Sequence, residues 1–170
     1  MSDDLELAFL IVDAADAVTS EAWTPAGVTA VLKADGSPVT EADLAAERAM
    51  IAVLQRAAPD DGFVGEEFGR HPVSSGRRWI ADGIDGTRFF AAGERTWGTL
   101  LALKVDGSIA VAVCSSPLQQ RRWWAVRGGV CKASGGRMRA DDATGIQKQF
   151  WLTIVSMSVQ LFPCFWIDRC

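Results

Sequence analysis

Apolar residues open the chain at a helical spacing. Leu5, Ala8, Phe9 and Val12 fall at i, i+3, i+4 and i+7, which predicts an amphipathic helix capped by Ser2 or Asp3. Trp23–Gly27 breaks that pattern with a Pro and a Gly. From Val28 to Lys33 the period changes to alternation, with Val28, Ala30 and Leu32 on one face of an expected strand. Ala34-Asp35-Gly36 then turns the chain into Ser37-Pro38. Thr40 is placed to cap a second helix to about Ala57, with Leu44, Ile51 and Leu54 on its buried stripe. Asp43 takes its third position, where the helix dipole favours a carboxylate. Pro59-Asp60-Asp61-Gly62 ends this helix, and Phe63–Glu66 reads as a short strand that delivers Glu66 at its end. Trp79–Asp82 is an apolar strand running into a turn at Asp85-Gly86, with Thr87 capping a short helix from near Arg88. Thr96–Val105 and Ser108–Ser115 are joined by Asp106-Gly107, a two-residue hairpin turn. A third strand near Arg122–Val126 turns at Gly128-Gly129 into Val130–Ala133. Two helices with an antiparallel meander define an α+β layer.

Composition adds exclusions. At 170 residues, 49% hydrophobic and 22% charged, the chain suffices for one domain of ordinary globular make-up. Its formal charge of −4 argues against a nucleic-acid binder, which carries a basic stripe. Cys114, Cys131, Cys164 and Cys170 show no C-x-x-C spacing, so neither zinc nor a disulfide framework is indicated. The acidic start lacks the basic segment of a secretory signal, which makes the cytoplasm the expected location. His71 lies in a polar loop and reads as solvated. Composition shifts at Ser134–Gly145, which is polar and Gly-rich. Phe150–Ile167 is uncharged but diluted by Thr153, Ser156, Ser158, Gln160 and Pro163, so it reads as a divergent apolar tail and not as a membrane span. The expected division is therefore 1–140 and 141–170.

The chemistry concentrates in Trp79-Ile80-Ala81-Asp82-Gly83-Ile84-Asp85-Gly86-Thr87. Two carboxylates meet at one turn beside the amides of Gly86 and Thr87. Hard cations prefer such oxygen ligands, and helix-start amides suit a phosphate. Singly, these features are ordinary: Asp43 is a helix-start carboxylate, Glu66-Glu67 a solvated strand end and Asp-Gly a turn. Their combination carries the reading, because carboxylates about 4–5 Å apart repel by several kcal/mol per pair at an effective dielectric of 20.

The stretch also resembles the W-I-x-D-P-I-D-G-T signature of the inositol monophosphatase superfamily, with Gly83 at the place of its Pro. Gly65-Glu66-Glu67 and Ser37-Pro38-Val39-Thr40-Glu41-Ala42-Asp43 agree with that family in order and spacing. The resemblance runs from about Leu5 to about Ser134. Trp97–Leu103 and Arg121–Gly129 are similar to segments of the bacterial histidinol-phosphatase branch.

The resemblance implies the N-terminal layer of the sugar-phosphatase fold, two helices on the meander sheet. It implies Mg²⁺ as cofactor, the first ion held by Glu66, Asp82 and the Ile84 carbonyl, a second by Asp82 and Asp85. Glu66 and Thr87 would orient water, Asp43 would support Thr87, and the Gly86 and Thr87 amides would hold phosphate. Lys33 and Glu67 lie near motif positions. The implied activity is hydrolysis of a small phosphorylated metabolite, histidinol phosphate first and inositol monophosphate as the alternative. A W-D-x-A/G-A/G-G motif, which the family carries in a second α/β domain, is not found. The chain is thus expected to be truncated, with little turnover, and a non-catalytic binding module is the competing reading. A homodimer stays open. Gly83 is expected to loosen a turn that proline would stiffen.

Overall fold

The computed structural model describes residues 3–70, 75–129, 131–134 and 136–137. Helices α1 (Asp3–Ala22) and α2 (Glu41–Ala57) pack on one face of a sheet. From α1 come Leu5, Ala8, Ile11, Val12 and Ala15, and from α2 come Ala46, Met50 and Leu54. Full burial of side chains such as Ile11 or Met50 contributes roughly 1.5–3 kcal/mol each. The stripe on α2 differs from the expected one. Leu54 is buried, but Leu44 and Ile51 are only partly so, and Met50, Ala46 and the carboxylate of Glu47 take the inner positions.

Between the helices, β1 (Val31–Leu32) pairs with β2 (Pro38–Val39) in a small separate hairpin. The alternation from Val28 does not make a longer strand. Val28 gives its amide to Ala91 O, tying the loop to the far end of the site, and Leu32 is 71% exposed.

The main sheet comprises β3 (Gly62–Gly65), β4 (Gly69–Arg70), β5 (Arg77–Asp85), β6 (Gly98–Val105), β7 (Ser108–Ser116), β8 (Arg121–Val126), β9 (Lys132–Ala133) and β10 (Gly136–Arg137). Its order is β10-β9-β8-β7-β6-β5-β3-β4. From β6 to β9 it is the expected antiparallel meander, which β5 extends on one side and β10 on the other, and Asp106 (φ 48) with Gly107 (φ 86) forms the tight β6–β7 turn. One junction departs from that pattern: β3 runs parallel to β5, Phe63 beside Trp79 and Gly65 beside Ala81. Trp79, Ala81, Leu101, Leu103, Val111 and Val113 present the face that meets the helices. Trp79 is fully buried, its indole N–H donating to Asp61 Oδ2 at 2.9 Å.

No helix among the described residues is long and apolar enough to cross a membrane. The boundary at 140, the tail at 141–170 and His71 lie outside the described residues.

Candidate active site

The site begins at the start of α2. Thr40 is extended (φ −117, ψ 165), and its hydroxyl accepts from the amides of Ala42 and Asp43. Asp43 reciprocates, its Oδ2 accepting the Thr40 amide at 2.8 Å and the Thr40 hydroxyl at 2.5 Å. This capping box, predicted from Thr40 and Asp43, leaves Asp43 Oδ1 for another partner. That partner is Thr87, whose hydroxyl lies 2.8 Å from Asp43 Oδ1 and 3.0 Å from Ile84 O. Thr87 does not cap the short helix α3 (Thr87–Ala91). It is the first helical residue, and Gly86 occupies the cap position in the left-handed region (φ 91). The threonine hydroxyl is thereby committed to the turn and to α2.

The two aspartates of the turn share a side of the sheet because of a bulge. Residues three apart on a regular strand point to opposite faces. Here Asp82 pairs with Leu100 and Asp85 with Gly98, so three steps on β5 match two on β6. The extra residue restores the parity and brings both carboxylates to one side, as bulges at functional sites do. The strand thus continues to Asp85 instead of ending at Asp82. Asp82 Oδ1 accepts the Ile84 amide at 3.0 Å. Parallel pairing of β3 with β5 sets Glu66 and Asp82 one residue beyond Gly65 and Ala81.

The electrostatics of this cluster are unbalanced. Asp82 is 6% exposed. Its carboxyl is held well above the usual range, first by burial and then by the negative charges of Glu66 and Asp85. Asp85 is pushed up to about 6 by burial and by Glu66. Lys33, from the loop after β1, pairs with the edge of the cluster, with Nζ 2.8 Å from Glu66 Oε1 and 2.9 Å from Glu67 Oε1. Burial works against the Lys33 charge, but these two carboxylates more than offset it and raise its pKa.

Among the described residues no three acidic, histidine or cysteine side chains stand close enough to share one metal ion as they are. The donor set nevertheless fits a hard cation. The charges of Glu66, Asp82 and Asp85 bear on one another, Asp82 and Asp85 hold their protons more tightly than usual, and Lys33 pairs with Glu66.

Gly83 has a role other than loosening the turn. A Cβ built on it would lie 2.8 Å from Ala46 Cβ and 3.4 Å from Asp43 O. Its lack of a side chain lets the bulge seat directly on α2.

The structure brings Asp43, Thr87 and Ile84 into one hydrogen-bonded group and Glu66, Asp82 and Asp85 into one electrostatic group. The sequence reading missed Glu47, buried in α2 beneath the Glu66 turn, and Asp16 in α1. Glu47 carried a signal: an acidic residue in register with Ala46, Met50 and Leu54 on an apolar stripe.

Helices layered on a mixed sheet, with an acidic cluster where β3 and β5 end, define the sugar-phosphatase class of α+β protein. More narrowly, the chain belongs to the inositol monophosphatase family, whose profile matches residues 2–162. That match extends past Ser134, where the motif resemblance was expected to stop. The chain is 45% identical to a histidinol-phosphatase of Mycobacterium tuberculosis over 126 residues, 74% of this chain and 48% of the relative. It is 50% identical over 127 residues to a Streptomyces griseus protein named glucose-1-phosphate thymidylyltransferase, again 74% of this chain and 48% of the relative. A solved inositol monophosphatase from Zymomonas mobilis superposes with a TM-score of 0.67 at 37% identity, covering 84% of this chain and 54% of that one. The chain spans about half the length of the curated relatives it matches. The family comprises metal-dependent phosphatases of small phosphorylated substrates.

Proposed function

We propose that this chain supplies the metal- and phosphate-binding part of a Mg²⁺-dependent phosphomonoesterase. The substrate we favour is histidinol phosphate. The observation that carries the proposal is the like-charged group Glu66–Asp82–Asp85 beside the Asp43–Thr87 hydrogen bond. A phosphate ester resists attack because its oxygens repel a nucleophile, so hydrolysis needs positive charge on those oxygens and a correctly placed water. Held by Glu66, Asp82, the Ile84 carbonyl and Asp85, Mg²⁺ would supply that charge and acidify water.

The remaining work falls to the chain's own groups. The Thr87 hydroxyl, donating to Asp43 Oδ1, keeps lone pairs free to accept a hydrogen bond from water and so to direct it. Asp43 is anchored through Oδ2 by both the amide and the hydroxyl of Thr40, which fixes that direction. Glu66 is the proposed proton acceptor for the same water. The amides of Gly86 and Thr87 are the proposed phosphate donors.

The 45% identical histidinol-phosphatase supports the choice of substrate. The name of the 50% identical relative denotes a different reaction, but the family-wide match favours hydrolysis. Inositol monophosphate is the second substrate to test, because a 36% identical relative is an inositol-1-monophosphatase of Mycolicibacterium smegmatis.

The test is phosphate release from both esters, with and without Mg²⁺, by the unaltered chain and by Asp82→Asn and Glu66→Gln. Release that needs Mg²⁺, favours histidinol phosphate and disappears in both variants is the expected result. Retention of more than about a tenth of the activity, a loss of only roughly 1.4 kcal/mol in barrier, overturns the ligand roles. Tight binding without release selects the binding-module reading.

A further inference from the structure

We infer that Glu47 is a positioning residue: its carboxylate, buried in α2, fixes the direction in which Glu66 leaves the end of β3. This rests on the proposed role of Glu66 as a metal ligand.

Glu47 is 0% exposed, an expensive place for a carboxylate. Among the described residues no cation is paired with it; its partners are backbone amides. Oε1 accepts the N–H of Glu67 at 2.9 Å and Oε2 the N–H of Phe68 at 3.1 Å. Charge-assisted bonds of this kind are roughly twice as strong as neutral ones. The Glu67 N–H belongs to the peptide plane that follows Glu66, so holding it fixes ψ of Glu66. On the other side, the parallel ladder to β5 holds the chain up to Gly65. Glu66 is therefore clamped at both ends, by strand pairing before it and by Glu47 after it.

Close packing secures the clamp. A Cβ on Gly65 would sit 2.0 Å from Glu47 Oε2 and 2.6 Å from its Cδ, so the backbone of β3 rests directly on the carboxylate. The next side chain of α2, Arg48, covers the outside of the same turn, its guanidinium 5.2 Å from the Phe68 ring centre. The turn that carries Glu66 and Glu67 thus follows α2, the helix whose first turn holds Asp43. One rigid element sets both the Asp43–Thr87 pair and the Glu66 carboxylate.

A neutral amide cannot reproduce this. The side chain of Glu47→Gln accepts one of the two amides and opposes the other with its own N–H₂. A residue that only filled space would alter stability and leave ion binding alone. Removing an outer-shell partner instead costs about 10–100-fold in metal affinity.

The experiment titrates the full chain with Tb³⁺, a hard cation read by tryptophan-sensitised luminescence. Luminescence lifetimes in H₂O and D₂O count the water ligands. In the unaltered chain, binding is expected to be abolished by Asp82→Asn. Glu47→Gln, with a native near-ultraviolet circular dichroism spectrum, is expected to bind about 10–100-fold more weakly and to gain a coordinated water as Glu66 drops out. Gly65→Ala, which displaces the same carboxylate from the other side, should give the same signature, and the double variant no more than either alone. Unchanged affinity and hydration in a natively folded Glu47→Gln overturn the inference. Should that variant not fold, Gly65→Ala decides by the same criteria. Rapid hydrogen exchange at both the Glu67 and Phe68 amides of the unaltered chain overturns it independently. Absence of any Asp82-dependent Tb³⁺ binding in the unaltered chain is a different failure: it removes the metal reading itself and this inference with it.

Discussion

Asp16 and Asp82 are largely buried carboxylates joined by one residue, Thr99, yet their surroundings are opposite. The Thr99 hydroxyl lies 2.9 Å from Asp16 Oδ1 and 3.2 Å from Gly83 O, next to Asp82. Around Asp16 stand donors. Ser115 lies at 2.5 Å and the Arg122 guanidinium at 2.9 Å, and Arg122 also reaches Asp13 at 2.6 Å. Burial raises the Asp16 pKa, and Ser115, Thr99 and Arg122 each pull it back. Around Asp82, beyond the single Ile84 amide, stand carboxylates, and the charges of Glu66 and Asp85 push its pKa further in the direction that burial already takes it. A buried carboxylate whose neighbours are donors is finished; it joins α1 to β6, β7 and β8. One whose neighbours are carboxylates still needs a positive charge.

The largest expected effects oppose each other. Asp16→Ala strips three donors of their acceptor and should cost about 3 kcal/mol. At this size that is roughly 6–12 °C in Tm by calorimetry. Asp82→Asn should leave the metal-free Tm unchanged or higher, because it removes like-charge repulsion. By isothermal titration it should weaken Mg²⁺ binding more than about 100-fold, beyond the range of outer-shell partners. Equal thermal destabilisation by the two substitutions would dissolve the contrast.

Acidity sharpens it. The Asp85 carboxyl titrates at about 6 in the folded chain against an ordinary 3.8. The folded form therefore holds that proton more tightly than the unfolded one. Its contribution to stability is complete below 3.8 and lost as the pH rises through about 6. Metal-free Tm should fall across this window. Asp85→Asn should flatten that part of the curve, and saturating Mg²⁺ should restore Tm on its alkaline side. Below the window, protons should displace Mg²⁺.

Gly83→Ala tests the joint between the two regions. Its Cβ would meet Ala46 Cβ at 2.8 Å, an overpacking expected to cost about 1–3 kcal/mol in a urea titration. Pairing it with Ala46→Gly should recover part of the loss. Gly83→Pro, which stiffness alone would favour, should destabilise for the same reason. The smallest effect belongs to Lys33→Met. Lys33 and Glu66 are 25% and 44% exposed, so the change should stay within about 1 kcal/mol by chemical denaturation.

Much of this was legible in the chain. The 3.6-residue period gave α1, Thr40 with Asp43 gave the start of α2, and Asp106-Gly107 gave the β6–β7 hairpin. The motif spacing drew Glu66, Asp82, Asp85 and Thr87 together. What escaped depends on three-dimensional neighbours. Val28 looks like a strand residue because local alternation is blind to Ala91, which takes its amide. The bulge at Gly83-Ile84 is invisible until β6 supplies a register. Glu47 shows in the chain as an acidic residue on an apolar stripe, but what it serves is hidden until the turn at Glu67 and Phe68 is laid over it.

The parallel junction, β3 beside β5, makes the acidic site a gauge of strand alignment. A slip of one residue between these strands would pair Gly65 with Ile80 or Asp82 and carry Glu66 away from its companions. Correct alignment of the buried layer and assembly of the acidic group are thus one event, so a cation that binds the assembled group draws the folding equilibrium of the whole layer with it.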